Sequence, residues 1–169
     1  MKFICISLMV LGLMYNLNSS ADEGIKNPDI LEAIQKFKYE NSKRNQELLL
    51  EKINLGKYLL ITINSDLKGN KNQDGTTTVG KGAKTSVILF SDKEGNMFLP
   101  IFTDWIELYK YENIHKNDWG TSKVTGLVLP AKEVWDLALN VANYHGVAIN
   151  PAGDPVQLER AHLKSLLKQ

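Results

Sequence analysis

The apolar positions of this chain change period several times, and each change marks an element. Ile30, Ala33, Ile34 and Phe37 recur at threes and fours, which predicts a helix with one buried stripe. Asn27-Pro28 supplies its start, with Asn as the cap and Pro at the first helical position, where no N–H is needed. A second helix is predicted from about Ser42 to Asn54–Gly56, burying Leu49, Leu50 and Ile53, with Gly56 as a left-handed stop. Together they make a helical hairpin. From Tyr58 to Asn64 the period falls to two, and Leu59, Ile61 and Ile63 share one face of a strand. Asp66 to Lys84 is polar, Gly-rich and without period, and reads as a mobile loop. Thr85–Ser91 and Met97–Phe102 form a hairpin around Asp92-Lys93-Glu94-Gly95-Asn96. Pro100 cannot donate to a ladder, which places its strand at an edge or puts a bulge in it.

The second half alternates in the same way. Asp104 and Glu107 read as a capping box opening a short helix through Tyr111, and a loop follows from Asn113 to Ser122. Val124–Leu129 is a strand. Val134, Trp135, Leu137, Ala138, Val141 and Ala142 form a wide helical stripe, and Val147–Ile149 is a short strand after Gly146. That strand–helix–strand unit predicts a right-handed parallel crossover. Asp154-Pro155-x-Gln157 reads as another capping box, with Val156, Leu163, Leu166 and Leu167 on the inner face of a final helix. The predicted fold is α+β: a mixed, mostly antiparallel sheet of about five strands, with helices packed on it and the helical hairpin in front.

The first residues follow a different logic. Lys2 precedes an apolar run from Phe3 to Tyr15, broken only by Ser7 and Gly12, and then polar Asn16, Asn18, Ser19 and Ser20 lead to Ala21. The run suits a secretory h-region of about 7–15 residues and falls short of the roughly 20 that cross a bilayer. Small Ser19 and Ala21 suit a signal peptidase, so residues 1–21 read as a cleaved signal peptide and 22–169 as one domain. An uncleaved anchor is the alternative. Cys5, the only cysteine, lies inside the run, where it cannot serve as a lipoprotein anchor. The expected location is periplasmic or secreted, with membrane contact only in transit.

Charge narrows the partners. The full chain carries 20 basic and 19 acidic residues, so loss of Lys2 leaves the domain formally neutral, without the basic excess of a nucleic-acid binder. With no cysteine left after the cut, the domain has no disulfide and no thiol chemistry.

Motifs for chemistry are thin. Gly75-Thr76-Thr77-Thr78-Val79-Gly80-Lys81 resembles the start of a phosphate-binding loop, but Gly82 stands where Ser or Thr would bind magnesium, and a strand follows instead of a helix. His115, His145 and His162 have no second His or carboxylate at the i, i+4 spacing that places two zinc ligands on one helix face, and no Gly-x-Ser-x-Gly elbow is present. His145 reads as a helix C-terminal residue suited to the dipole. No cofactor or metal is expected.

Two groups remain. Trp105 and Tyr109 share a helix face, while Tyr111 and Trp119 flank the Glu112–Asp118 segment; they either pack the short helix on the sheet or anchor a partner. Thr103-Asp104 and Asn150-Pro151-Ala152-Gly153 both end strands and open helices. If those strands are neighbours, two helix N-termini converge in a small anion-friendly notch; plain capping is the simpler reading. The candidate binding residues are therefore Thr103, Asp104, Trp105, Trp119, Asn150 and Gly153.

Three strings, in order, carry a resemblance: Asn27-Pro28 with Ile30-Leu31-Glu32-Ala33; Leu99-Pro100-Ile101-Phe102-Thr103-Asp104 after Glu94-Gly95-Asn96; and Gly146-Val147-Ala148-Ile149-Asn150-Pro151-Ala152-Gly153. The chain resembles the N-terminal domain of the SseB (enhanced serine sensitivity) family from about Asn27 to Leu167. Asp104 departs from the Ser often found there, and the family's usual Asn-Pro-Gly is stretched by Ala152. Many members look cytoplasmic and carry a second domain. The resemblance implies a fold and no reaction. The reading it leaves is an exported, non-enzymatic binding or protein-interaction module with a protein partner, an immunity- or effector-type protein being one form. The alternatives are a small hydrolase or transferase using Asp104 and His145, which requires the two side chains to meet in a cleft, and a structural envelope protein with a large apolar patch.

Overall fold

The computed structural model describes residues 6–9, 16–17, 25–63, 69–71, 77–79, 84–115, 124–141, 143–153 and 155–168. Helices α1 (Pro28–Tyr39) and α2 (Lys43–Leu55) form the expected hairpin. Its corner is held by side chains: Ser42 Oγ accepts from Asn45 N at 3.3 Å, and Asn45 Nδ2 donates to Glu40 O at 2.9 Å and Lys36 O at 3.3 Å, so the start of α2 closes the end of α1. Gly56 does not stop α2 in a left-handed conformation; it is extended, at φ −74° and ψ 169°. A Cβ there would stand 2.5 Å from Ile30 Cδ1, so a larger residue would have to push the tip of that buried side chain aside.

Strand β3 (Lys57–Ile63) is the centre of the main sheet. On one side it pairs antiparallel along its whole length with β9 (Val124–Pro130). On the other, its first half pairs with β8 (Met97–Phe102) and its last residues with β6 (Lys84–Val87). Strand β7 (Phe90–Ser91) hairpins onto β8, β10 (Gly146–Ile149) runs parallel to β8, and β11 (Val156–Glu159) closes the edge antiparallel to β10. The fold is α+β with a mixed, mostly antiparallel sheet. Near the start of the chain β1 (Ile6–Met9) pairs with β6, and a small second sheet joins β2 (Asn16–Leu17), β5 (Thr77–Val79) and β4 (Gly69–Lys71). Those last two strands fall within the stretch expected to be loop. They also give Thr77–Val79 of the phosphate-loop lookalike to a strand.

Pro100 is not at an edge. Asn150 N donates to Ile101 O at 2.9 Å and His145 N to Met97 O at 2.6 Å, so alternate residues of β8 turn their backbone groups toward β10. The ring nitrogen of Pro100 therefore faces the other way, at the point where β8 passes from β7 at Met97–Phe98 to β3 at Ile101–Phe102. No ladder bond is lost there.

Helices cover both faces. Tyr58, Leu60, Leu99, Ile101, Val147 and Ile149 pack under α1, α2, α4 (Ala131–Asn140) and α5 (Arg160–Leu166). Leu59, Ile61, Ile88 and Phe102 pack under α3 (Trp105–His115) through Leu108 and Tyr111. This accounts for β3 being buried on both faces rather than one. Helix α4 carries the chain from β9 to β10, which point the same way with β3 and β8 between them. Val156 belongs to β11, and the last helix begins only at Arg160 without a side-chain cap, so the predicted capping box does not open it. Its Asp154 lies outside the described residues.

Candidate binding site at the strand ends

Because β8 and β10 are parallel neighbours, they end together, and Thr103 and Asn150 meet there. Thr103 N donates to Asn150 Oδ1 at 3.0 Å, and Asn150 Nδ2 donates to Thr103 Oγ1 at 2.9 Å. Asn150 holds a left-handed backbone, φ 53°, the only non-glycine residue to do so among those described. Asn tolerates that region better than most side chains. Thr103 is fully buried, so this exchange satisfies polar groups that water does not reach.

Two more residues complete the junction. Asp104 Oδ1 accepts from Glu107 N at 2.9 Å, capping α3, and Asp104 Oδ2 accepts from Thr103 Oγ1 at 2.9 Å. Asn27 does not cap α1 with its side chain. Its Nδ2 donates instead to Thr103 O at 2.6 Å and Lys57 O at 2.8 Å, tying the end of β8 to the start of β3, while its own carbonyl takes the first amides of α1. Glu107 does not reach back to complete the box; it pairs with Lys110 at 2.5 Å. That hydrogen bond, with the carboxylate charge behind it, lifts the Lys110 ammonium above the usual lysine range.

Beside this junction opens a cleft of about 300 Å³. Leu31, Ile34 and Lys38 of α1 form one wall, Glu107 and Lys110 of α3 the other, and Asn150, Gly153 and Val156 lie along its base. A Cβ on Gly153 would meet nothing within 4 Å, so the rim there is open. The two helix N-termini expected at this place reduce to one, since β11 and not a helix follows Asn150-Pro151-Ala152-Gly153. That one, on α3, is already filled by the Asp104 carboxylate. The junction binds its own side chain where an anion was anticipated.

Thr103, Asp104, Asn150 and Gly153 are thus brought together, and Trp105 is not. Its ring swings toward β9, where Gly126 makes space: a Cβ at 126 would lie 2.6 Å from Trp105 Cη2. There it neighbours Tyr109, ring centroids 5.9 Å apart. Tyr111 is core, packed on Phe102 and His115. Trp119 lies outside the described residues. The outward face of α3 carries Ile106, 68% exposed, and Tyr109, 51% exposed, with Ile114 further along at 59%. A surface helix normally keeps such residues on its inner stripe.

His145 stands at the opposite end of the sheet. It precedes β10 beside Met97 and Phe98, while Asp104 follows the far end of β8, about 20 Å away at roughly 3.3 Å per residue. The Asp104–His145 pair required for acid–base chemistry does not form. Nor does His145 cap α4. Arg160 does: its guanidinium donates to the carbonyls of Ala138 (3.1 Å), Leu139 (2.6 Å), Val141 (3.0 Å) and Tyr144 (3.2 Å). Sequence reading missed Arg160, the ties from Asn27 to Lys57 and Thr103, and the α1 wall, because each acts across a distance in the chain that no local pattern records.

Among the described residues no three His, Cys, Asp or Glu side chains are grouped to hold a metal ion, and no helix is long and apolar enough to cross a membrane. The family model for the SseB protein N-terminal domain matches residues 30–165. No curated protein and no solved structure matches the chain.

Proposed function

This chain belongs to the SseB N-terminal-domain family, and from that premise we propose that it is an exported, non-enzymatic protein-interaction module. One observation carries the reading. The outer face of helix α3 carries Ile106 and Tyr109 exposed beside Trp105, among exposed polar Lys110 and Asn113. Aromatic and large aliphatic side chains on a rigid helix are suited to anchor an interface. The junction of Asn27, Thr103, Asp104 and Asn150 supports it by fixing the pitch of α3, so these residues position the surface while Ile106 and Tyr109 meet the partner. The separation of Asp104 from His145 removes the specific acid–base pair on which the enzymatic alternative was built.

The test has two parts. N-terminal sequencing of the protein recovered outside the cytoplasm should begin at Asp22. The full-length protein produced in its own host should co-purify with a defined protein, and Ile106→Asp with Tyr109→Asp should abolish that association while leaving thermal stability within about 0.5 kcal/mol, as surface changes do. Retention of the partner by this double variant, or recovery only of the unprocessed chain in the cytoplasm, would refute the corresponding half.

A further inference from the structure

The far edge of the sheet carries a second, unrelated surface. Among the described residues β11 pairs only with β10, in the register Gly146↔Glu159 to Ile149↔Val156. The direction of its backbone groups follows from one bond. Arg160 N donates to His145 O at 3.1 Å, so that pair is of the hydrogen-bonded type. Such pairs alternate along an antiparallel ladder. Leu158 and Val156 therefore also face β10, while Gln157 and Glu159 turn their N–H and C=O groups outward. Both residues are exposed. β11 is thus a free edge with two outward donors and two outward acceptors.

A groove of about 800 Å³ runs beside this edge, large by the standard of ordinary ligand sites, roughly 300–1,000 Å³. Gln157 and Glu159 line it too, so the groove crosses the sheet face from β7 and β8 and reaches the strand that carries the free edge. Its apolar part includes Phe90 and Phe98, ring centroids 6.4 Å apart. Its charged lining is Asp92, Glu94 and Glu159 against Lys93, with His145 and His162 also on it, so carboxylates are in excess while both imidazoles are neutral. The Asp92 carboxylate loses some water, but bonds from the Asn96 side chain and from the amides of Asn96, Glu94 and Gly95 more than offset this and hold it below the usual range. The groove is acidic.

We propose that β11 and this groove form a strand-addition site for an extended, basic segment of a partner protein. The outward amides and carbonyls of Gln157 and Glu159 pair with the incoming backbone, a Lys or Arg side chain opposite Glu159 meets its carboxylate, and the further carboxylates of the groove favour a basic segment at longer range. A second copy of this chain is disfavoured as occupant, since two β11 edges would bring two acidic grooves together.

The probe is a capped synthetic peptide alternating lysine and valine, with a glutamate–valine peptide of equal length as control. Titrated into the full-length protein, the basic peptide should bind and the acidic one should not, with affinity falling as salt rises. Glu159→Gln should weaken binding about 3- to 5-fold, and reversal of both Glu94 and Glu159 to lysine should abolish it. Strand pairing is read separately: the Gln157 and Glu159 amides should gain protection from hydrogen exchange on binding. Binding without that protection, equal binding of both peptides, or self-association of the protein through β11 would overturn the proposal. The Ile106→Asp/Tyr109→Asp variant should bind the basic peptide normally; loss of binding there would place the peptide on α3 and overturn this site while sparing the α3 surface.

Discussion

The two ends of the β8–β10 pair solve the same problem with different chemistry. At the C-terminal end, backbone groups left over by the strands are taken up by the neutral side chains of Asn27 and Asn150, with Thr103 Oγ1 bonded to Asn150 and Asp104 capping α3. At the N-terminal end, where α4 stops and the chain turns into β10, a single guanidinium takes four carbonyls. Helix α4 spans from one end to the other and shows the contrast on a single element. Its start has no side-chain cap and carries Glu133, whose Oε2 is buried without a hydrogen-bond partner, whereas its end is held by Arg160. A concentrated charge serves where many acceptors converge. Bidentate amides serve where donors and acceptors alternate.

Substitutions can break the contrast. The largest effect is expected from Arg160→Ala, which strands the carbonyls ending α4 and removes a cation from the negative end of the helix; it should cost about 3 kcal/mol in chemical denaturation. Arg160→Lys should recover only part of this, because an ammonium lacks the planar fork that reaches several carbonyls at once. Next comes Asn150→Ala, which removes the exchange with Thr103 and leaves a non-glycine residue at positive φ, at about 2 kcal/mol. Asn150→Gly relieves the backbone but not the lost bonds and should cost nearer 1 kcal/mol; equal costs would show that the left-handed backbone contributes nothing. Gly95→Ala comes third. Gly95, at φ 87°, turns the β7–β8 hairpin beside the His145 end, and no neighbour crowds it. The expected loss of about 1 kcal/mol is conformational alone and should leave both junctions intact.

The smallest effect sharpens the comparison by its sign. Burial, and then the nearby Asp136 carboxylate, raise the Glu133 pKa above the ordinary 4.5. A carboxyl with a raised folded pKa favours folding in its protonated form, and that advantage is lost as pH climbs through the folded value. Glu133→Gln should therefore stabilise the protein slightly at neutral pH, by about 0.5 kcal/mol, and the gain should vanish below about pH 4. Melting curves of the pair from pH 3 to 8 read this out. A gain that persists in acid would place its origin elsewhere.

Local pattern was enough for much of the fold. Pro28, Ser42 and the threes-and-fours of Ile30–Phe37 mark the helical hairpin, and Asp92–Asn96 marks the turn, because each signal sits within a few residues of the structure it causes. The strand ends were located by Thr103-Asp104 and Asn150 for the same reason. What failed was whatever depends on the partner strand. Pro100 looked like an edge residue because its tolerance comes from a change of neighbour at β7 and β3. Val156 fits a helical stripe and a strand equally well, and pairing with Ile149 decided it. Asn27 carries a standard cap residue's identity, yet its amide spans to Lys57 and Thr103.

The placement of β3 also dictates an order of events. In the main sheet all of its partners come later in the chain, the furthest pairing being Lys57 with Pro130, and β8 waits in turn for β10. A chain emerging from the ribosome can complete the α1–α2 hairpin early, but its central strand stays unpaired until most of the sequence has been made. Long-range closure of this kind is slow. The hairpin can therefore form from local contacts first, while β3 waits for β6 and β8 and the sheet is completed only when β9 and β10 have been added.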